Sequence, residues 1–310
     1  MNKVIVVCGP TASGKSAFAM HLAQKYGHFN PVIINADSMQ LYKDIAIIAA
    51  SPSTEDKKFI PHKLYGILDA QNYCSVADYV ELAAKSIQDE LKAGKLPILV
   101  GGTGMYINAL MFGYSPIPDI APELRLQARQ KLNTVGNEQF FKELAILDPL
   151  AAEKLNPGDS QRILRAYEVI RQSGKSILEY HALAPIQPLH KINFEVIMLN
   201  PERNFLYNSC NERFIELIGK GALQEVKDLM ENDLKPDSPV FKALGVKELM
   251  DFHAGKVLLS EAVKLAQTKT RQYAKRQVTW FTHQIKVKQV ISYDDFAKFN
   301  AAIKAFSLNM

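Results

Sequence analysis

The octapeptide Gly9-Pro10-Thr11-Ala12-Ser13-Gly14-Lys15-Ser16 fits G-x-x-x-x-G-K-[ST] at every fixed position. It restricts the chain to folds in which a strand runs into a glycine-rich turn and then a helix. Both flanks are present: Val4–Cys8 reads as a buried strand and Ser16–Ala23 as a helix. Such a turn points several backbone N–H groups inward above a helix N-terminus, and both favour an anion. Gly9, Thr11, Ala12, Ser13, Gly14, Lys15 and Ser16 are therefore candidates to hold a phosphate or diphosphate. Lys15 adds a point charge, and the Ser16 hydroxyl is a candidate ligand for Mg²⁺. The loop alone does not say which phosphorylated compound it holds.

Two further apolar runs follow, Pro31–Asn35 and Leu96–Val100, the second leading into Gly101-Gly102-Thr103-Gly104. Ser75-Val76-Ala77-Asp78 is a capping-box start to a helix reaching about Ala93. Apolar strands separated by helices imply a parallel sheet covered on both faces, with the ligand beyond the strands' carboxyl ends. The loops at Gly9–Ser16, Asp37–Gln40 and Gly101–Gly104 all leave such ends and point to one crevice. After a Pro-rich break at Ser115–Asp119 the text is helical from Pro122 to about Tyr180, with Asp148-Pro149 as an N-cap and first-turn proline. Phe194–Leu199 returns to strand character, and beyond Pro201 the chain is mainly helical. The expected fold is α/β, a P-loop NTPase-like parallel sheet with helices on both faces plus a helical insertion domain. Its expected boundaries are a core over residues 1–118, the insertion over 119–190, and the core continued with basic C-terminal helices over 191–310.

Composition excludes several classes. No apolar run is long enough for a signal peptide or a membrane span, so no membrane partner is expected. Cys8, Cys74 and Cys210 are widely separated, with no C-x-x-C and no H-E-x-x-H, which argues against structural zinc or a disulfide framework. A reducing cytoplasm and a monomer are expected. The net charge of +5 says little, but its distribution says more. From Ala262 to Tyr293 there is no acidic residue, while Lys264, Lys269, Arg271, Lys275, Arg276, Lys286 and Lys288 fall there. A helix basic on this scale suits either solvent or a phosphate backbone.

Asn35-Ala36-Asp37-Ser38-Met39-Gln40-Leu41-Tyr42 is a polar loop directly after a buried strand. A carboxylate there could hold Mg²⁺ through water, take a proton from a nucleophile, or cap a turn. Here the sequence resembles a family, the tRNA dimethylallyltransferases or isopentenyltransferases, through most of its length. The resemblance rests on residues 9–16, 36–42 and 96–106, on Gln161-Arg162-Ile163-Leu164-Arg165-Ala166, and on residues 270–281, in the family's order. It implies transfer of a five-carbon allylic group from dimethylallyl diphosphate to N6 of the adenine beside the anticodon, in the tRNA anticodon stem-loop. It implies Asp37 as the base, Thr103 beside the reacting centre and Arg213 reaching the diphosphate. It further implies tRNA contacts from Asp37, Ser38, Met39, Gln40, Thr103, Arg125, Gln161, Arg162, Ile163, Leu164, Arg165, Arg271, Lys275 and Arg276. The flipped adenine would be read by the loop at 37–40. The chain departs from the family where Ile47-Ile48-Ala49-Ala50-Ser51-Pro52 replaces the usual Ile-Gly-Thr-Ala-Lys-Pro, and where Ser209 replaces an arginine. Three other functions share the phosphate loop: a small-molecule kinase, a prenyltransferase acting on free AMP, and a nucleotide-dependent switch. The switch lacks an N-K-x-D signature, and the AMP enzyme needs neither an RNA-binding insertion nor a basic tail.

Overall fold

The computed structural model describes residues 2–285, 287 and 289–307; Lys286 and Lys288 of the basic run lie outside the described residues. Along the chain, β1 (Lys3–Cys8) leads into α1 (Lys15–Lys25), then β2 (Val32–Asn35), α2 (Thr54–Phe59) and β3 (His62–Lys63). Next come α3 (Val76–Lys92), β4 (Pro97–Gly101) and α4 (Gly104–Phe112). A helical stretch follows: α5 (Pro122–Leu147), α6 (Pro149–Lys154), α7 (Ser160–Ser173) and α8 (Ile177–His181). The chain then forms β5 (Asn193–Leu199), α9 (Arg203–Gly219), α10 (Ala222–Glu231), α11 (Val246–His253), α12 (Leu259–Gln284), β6 (Gln289–Ile291) and α13 (Phe296–Ala305). It divides into two compact units, Met1–Met111 with Pro188–Met310, and Phe112–Gln187.

In the first unit Val4, Ile5, Val6 and Val7 are all fully buried, so both faces of β1 are covered. One face packs Ile5, Val7, Ile33, Ile98, Val100, Ile197 and Leu199 against Phe18, Ala19 and Leu22 of α1. The full burial of Phe18 alone is worth about 1.5–3 kcal/mol. On the same sheet α3 contacts β2 and β4. The sheet is parallel throughout, in the order β3-β2-β4-β1-β5-β6. Its register pairs Cys8 with Gly101 and Met198, and Asn35 with Val100. The loops after β1, β2 and β4 therefore emerge together at the carboxyl end of the sheet, where the sequence places them.

Four of the six strands are legible as apolar runs. The other two, β3 and β6, sit at the sheet edges with two and three residues, too short to show any periodicity. Helix starts follow their caps: Ser75 and Asp78 close a capping box on α3, and the Asp148 carboxylate accepts from the Ala151 N–H ahead of α6. No helix among the described residues is long and apolar enough to cross a membrane.

The second unit has its own core, with Ala128, Phe140, Leu144, Ala151, Ile163, Ala166 and Tyr167 packed together. Gly136, at φ +76°, interrupts α5 and lets its halves change direction. The Phe140 and Tyr167 rings meet at 4.6 Å.

Candidate active site

The phosphate loop is built by close packing as much as by its own hydrogen bonds. Gly14 adopts φ +72°, and a Cβ there would lie 2.8 Å from the Phe299 ring, so α13 leaves no room for a side chain. Tyr293 donates its hydroxyl to the Ser13 carbonyl. On the opposite flank Ala12 packs with Leu206, Cys210, Ala274 and Val278 from α9 and α12. Lys15, only 8% exposed, donates to the Pro10 carbonyl at 3.0 Å. Burial pushes its ammonium down to about 8; the Asp37 charge opposes that shift and the Arg213 charge adds to it. The Ser13 hydroxyl is buried without a hydrogen-bond partner among the described residues, which suits an incoming anion's oxygen.

The loop at Ala36–Gln40 is fixed by buried Asn35. Its side chain donates to the carbonyls of Asp37 and Leu64, both at 2.9 Å, and accepts the Asp37 N–H at 2.8 Å. Asp37 in turn accepts the Met39 N–H at 3.1 Å. From the third loop, Thr103 Oγ1 accepts the Ser38 N–H at 2.9 Å, and the Thr103 N–H donates to the Ala36 carbonyl at 3.1 Å. Gly101 allows this approach, since a Cβ would stand 2.1 Å from the Ala36 backbone. Thr103 thus orients the second loop and lines neither of the cavities described next. Gln40 spends its amide hydrogens on the carbonyls of Ala49 and Ala50, at 3.0 and 2.9 Å, which ties down the segment that departs from the family pattern.

Two cavities meet at Asp37. The first, about 470 Å³, is lined by the loop from Thr11 to Ala17 and by Asp37, Arg213 and the aromatic rings of Phe205, Tyr293 and Phe299. The second, about 350 Å³, is lined by Asp37, Ser38, Met39, Phe214, Tyr273 and Arg276, among others. Thr11, Asp37 and Arg213 belong to both. Arg213 donates to Thr11 Oγ1 at 3.3 Å; burial lowers the pKa of its guanidinium, and the Asp37 charge opposes that shift. Asp37 therefore shares a cavity with the lysine and the phosphate loop, and it also borders a second cavity beside α12. Chemically this combines an anion cradle, two cations and a carboxylate beside an adjoining chamber of mixed polar and apolar lining.

Ser16 lies at the mouth of the first cavity. Among the described residues no three His, Cys, Asp or Glu side chains cluster to hold a metal ion. Mg²⁺ needs no such cage, because it usually binds one or two protein oxygens, substrate phosphates and waters. Ser16, which lines the same cavity as the phosphate loop, fits that mode.

The RNA candidates separate into exposed and engaged residues. On α12, Lys275 and Arg276 are exposed, and Arg276 stands over the Tyr273 ring at 5.7 Å. Lys275, Arg276, Thr279, Trp280 and His283 line a shallow groove along the same helix. Arg271 turns toward α9 instead, donating to Asn211 at 2.6 Å and Thr268 at 2.9 Å. In the second unit Gln161 and Arg162 are exposed, and Arg162 pairs with Asp159 at 3.3 Å. Arg165 lies 3.6 Å from Glu168, whose buried carboxylate also feels the charges of Arg125 and Arg129. Ile163 is 0% exposed, its side chain packed inside the second unit's core. Leu164 packs partly buried against that core. The one-turn spacing of Ile163 and Ala166–Tyr167, apolar on an amphipathic helix, is the signal that marks Ile163 as core.

Sequence reasoning assigned no role to Gln277, Tyr293 or Phe299. All three are distant in sequence from the loop they touch, and no local pattern links them to it.

Comparisons with known proteins bear on the family and the fold. A family model described as IPP transferase matches residues 40–284, and one described as isopentenyl transferase matches residues 2–64. A tRNA dimethylallyltransferase of Rickettsia bellii is 47% identical over 307 residues, covering 99% of this chain and 96% of that protein. Another, from Rickettsia typhi, is 43% identical and covers 98% of this chain and 96% of that one. The crystal structure of a full-length tRNA isopentenylpyrophosphate transferase from Bacillus halodurans is 32% identical, with a TM-score of 0.67 over 98% of this chain and 94% of that one. A eukaryotic dimethylallyltransferase crystallised acting on tRNA superposes with a TM-score of 0.78 at 28% identity, covering 97% of this chain and 76% of its own. The chain belongs to the tRNA dimethylallyltransferase family of isopentenyl transferases.

Proposed function

We infer that this chain transfers a dimethylallyl group from dimethylallyl diphosphate to N6 of the adenine beside the anticodon in tRNA and releases diphosphate. The observation that carries this reading is the sharing of Thr11, Asp37 and Arg213 by two cavities, one built on the phosphate loop and one beside α12. The donor's diphosphate lies on the backbone of residues 12–16, with Lys15 and Arg213 balancing its charge. The adenine, flipped from its loop, enters the second cavity between Met39 and Tyr273. Its N6 lone pair forms the new bond to the donor's first carbon. The carbon–oxygen bond breaks, its electrons leave with diphosphate, and Asp37 takes the proton released from N6.

The electrostatic logic favours the departing group. Negative charge grows on the diphosphate as the bond breaks, inside a site that already holds two cations and inward N–H groups. Ser16 would hold a Mg²⁺ ion, which would supply further charge neutralisation to the leaving group. An exocyclic amine is a weak nucleophile, so fixed orientation and a placed base matter. Asn35 holds Asp37, and Thr103 holds Ser38 next to it. Lys275 and Arg276 contact the stem backbone, and exposed Gln161 and Arg162 of the second unit add RNA contacts. We take the enzyme to act as a monomer in the cytoplasm.

The test is incubation of the protein with dimethylallyl diphosphate, Mg²⁺ and either tRNA or AMP, followed by mass spectrometry of the nucleosides. Prenylated adenosine should appear in tRNA and not from AMP. Adduct on AMP alone, or ATP consumption without adduct, would replace this reading with the free-nucleotide transferase or the kinase.

A further inference from the structure

Gln277 lies on α12, 6% exposed, with both ends of its amide engaged. Its Oε1 accepts the Thr11 N–H at 2.7 Å, and its Nε2 donates to the Gly102 carbonyl at 2.8 Å. Those partners lie in the first and third loops of the active site, 266 and 175 residues away in sequence. A Cβ on Gly102 would stand 2.4 Å from Nε2 and 3.5 Å from Lys15 Nζ, so the amide fills the gap between these loops beside the buried lysine. Thr11 is also held by Arg213 at its hydroxyl and by the Cys210 thiol, 4.0 Å from its carbonyl. Only an amide both accepts and donates in this way; a carboxylate or a thioether of similar length does one or neither. The neighbours of Gln277 on α12, Lys275, Arg276 and Trp280, line the exposed groove.

We propose that Gln277 is a positioning residue for the transfer reaction, setting the phosphate loop against the third loop from within the helix whose outer face meets RNA. This rests on the functional reading above. Through Thr11 the amide fixes the loop that cradles diphosphate, and through Gly102 it fixes the loop that carries Thr103 and hence orients Ser38 and Asp37. A loss of the amide misplaces the donor relative to the base without touching the RNA-facing side chains.

Gln277→Met and Gln277→Glu, assayed as full-length enzyme with tRNA and dimethylallyl diphosphate, test this. In Gln277→Met, kcat/KM for the donor should fall at least tenfold, chiefly in kcat, while tRNA affinity stays within twofold of wild type. Gln277→Glu keeps an acceptor for Thr11 but places a negative charge beside the loop, so it should also raise the donor KM. A Gln277→Met enzyme with donor kcat/KM within twofold of wild type overturns the proposal. So does a parallel loss of melting temperature and tRNA affinity with kcat per folded molecule unchanged, the pattern of a purely structural role. Should neither variant fold, hydrogen exchange of the Thr11 amide in the wild-type protein decides. Slow exchange is expected, and exchange at an unprotected loop's rate contradicts the proposal. A wild-type chain that forms no prenylated adenosine in tRNA refutes the functional reading instead, and the two failures are distinguishable.

Discussion

Lys15 gives the account a pH dependence with a defined sign. Its folded-state value of about 8, against 10.5 for a free lysine, means that keeping it charged in the empty loop costs the fold about 3 kcal/mol. That penalty is present below pH 8 and fades as pH rises toward 10.5, where the unfolded lysine also becomes neutral. A bound diphosphate supplies the missing counter-charge and raises the lysine's pKa again, so binding takes up a proton wherever the empty loop is already deprotonated. The lysine's contribution to affinity is then full well below pH 8 and falls away as pH rises through it. About nine-tenths of the loops carry the charge at pH 7 and about one-tenth at pH 9, so the lysine's contribution weakens binding roughly tenfold across that interval. Calorimetry with inorganic diphosphate and Mg²⁺ at pH 7, 8 and 9, in buffers of different ionisation heat, measures both affinity and proton uptake. Diphosphate titrates too, so Lys15→Arg is the control: arginine stays charged throughout and retains only the ligand's own pH dependence. A wild type and an arginine variant with the same pH profile would refute the reasoning.

Two other perturbations separate RNA binding from architecture. Replacing Lys275 and Arg276 together with Ala should lower the log–log salt slope of tRNA binding by about 1.4–1.8, since each phosphate contact contributes roughly 0.7–0.9; filter binding between low and moderate salt measures this, and an unchanged slope removes the pair from the interface. Gly101→Ala should destabilise the first unit by at least about 2 kcal/mol in urea unfolding, because the new methyl would meet the Ala36 backbone at 2.1 Å; a variant as stable as wild type would show that the second and third loops do not pack as described.

Much of this site was legible because its chemistry is local. The phosphate loop, the polar loop after β2 and the glycine-rich loop after β4 each follow an apolar run, and parallel-sheet geometry sends all three to the carboxyl end of the sheet. Ser75 and Asp148 announce their helices through side-chain caps that act over three residues. Illegible features share a different cause. The edge strands β3 and β6 owe their existence to neighbouring strands, with too few residues to carry a pattern of their own. Gln277, Tyr293 and Phe299 reach the loop from more than 250 residues away, and although Gln277 lies in the 270–281 stretch that carries the resemblance, nothing local ties it to the phosphate loop. Arg213 entered through family resemblance, since nothing around Asn211–Phe214 marks a site until α9 is seen beside Thr11. Ile163 and Arg271 lie in stretches that carry the family resemblance, yet what their side chains do in the fold, core packing for Ile163 and a hydrogen bond to Asn211 for Arg271, shows only in three dimensions.

The central claim is that Asp37 receives the N6 proton across the junction of the two cavities. Single-turnover transfer by Asp37→Asn, measured alongside its affinities for tRNA and inorganic diphosphate, tests it most directly. Removal of the base should slow prenyl transfer by about 10²–10⁴-fold while both affinities stay within threefold of wild type. Transfer at the wild-type rate by that variant would contradict the claim.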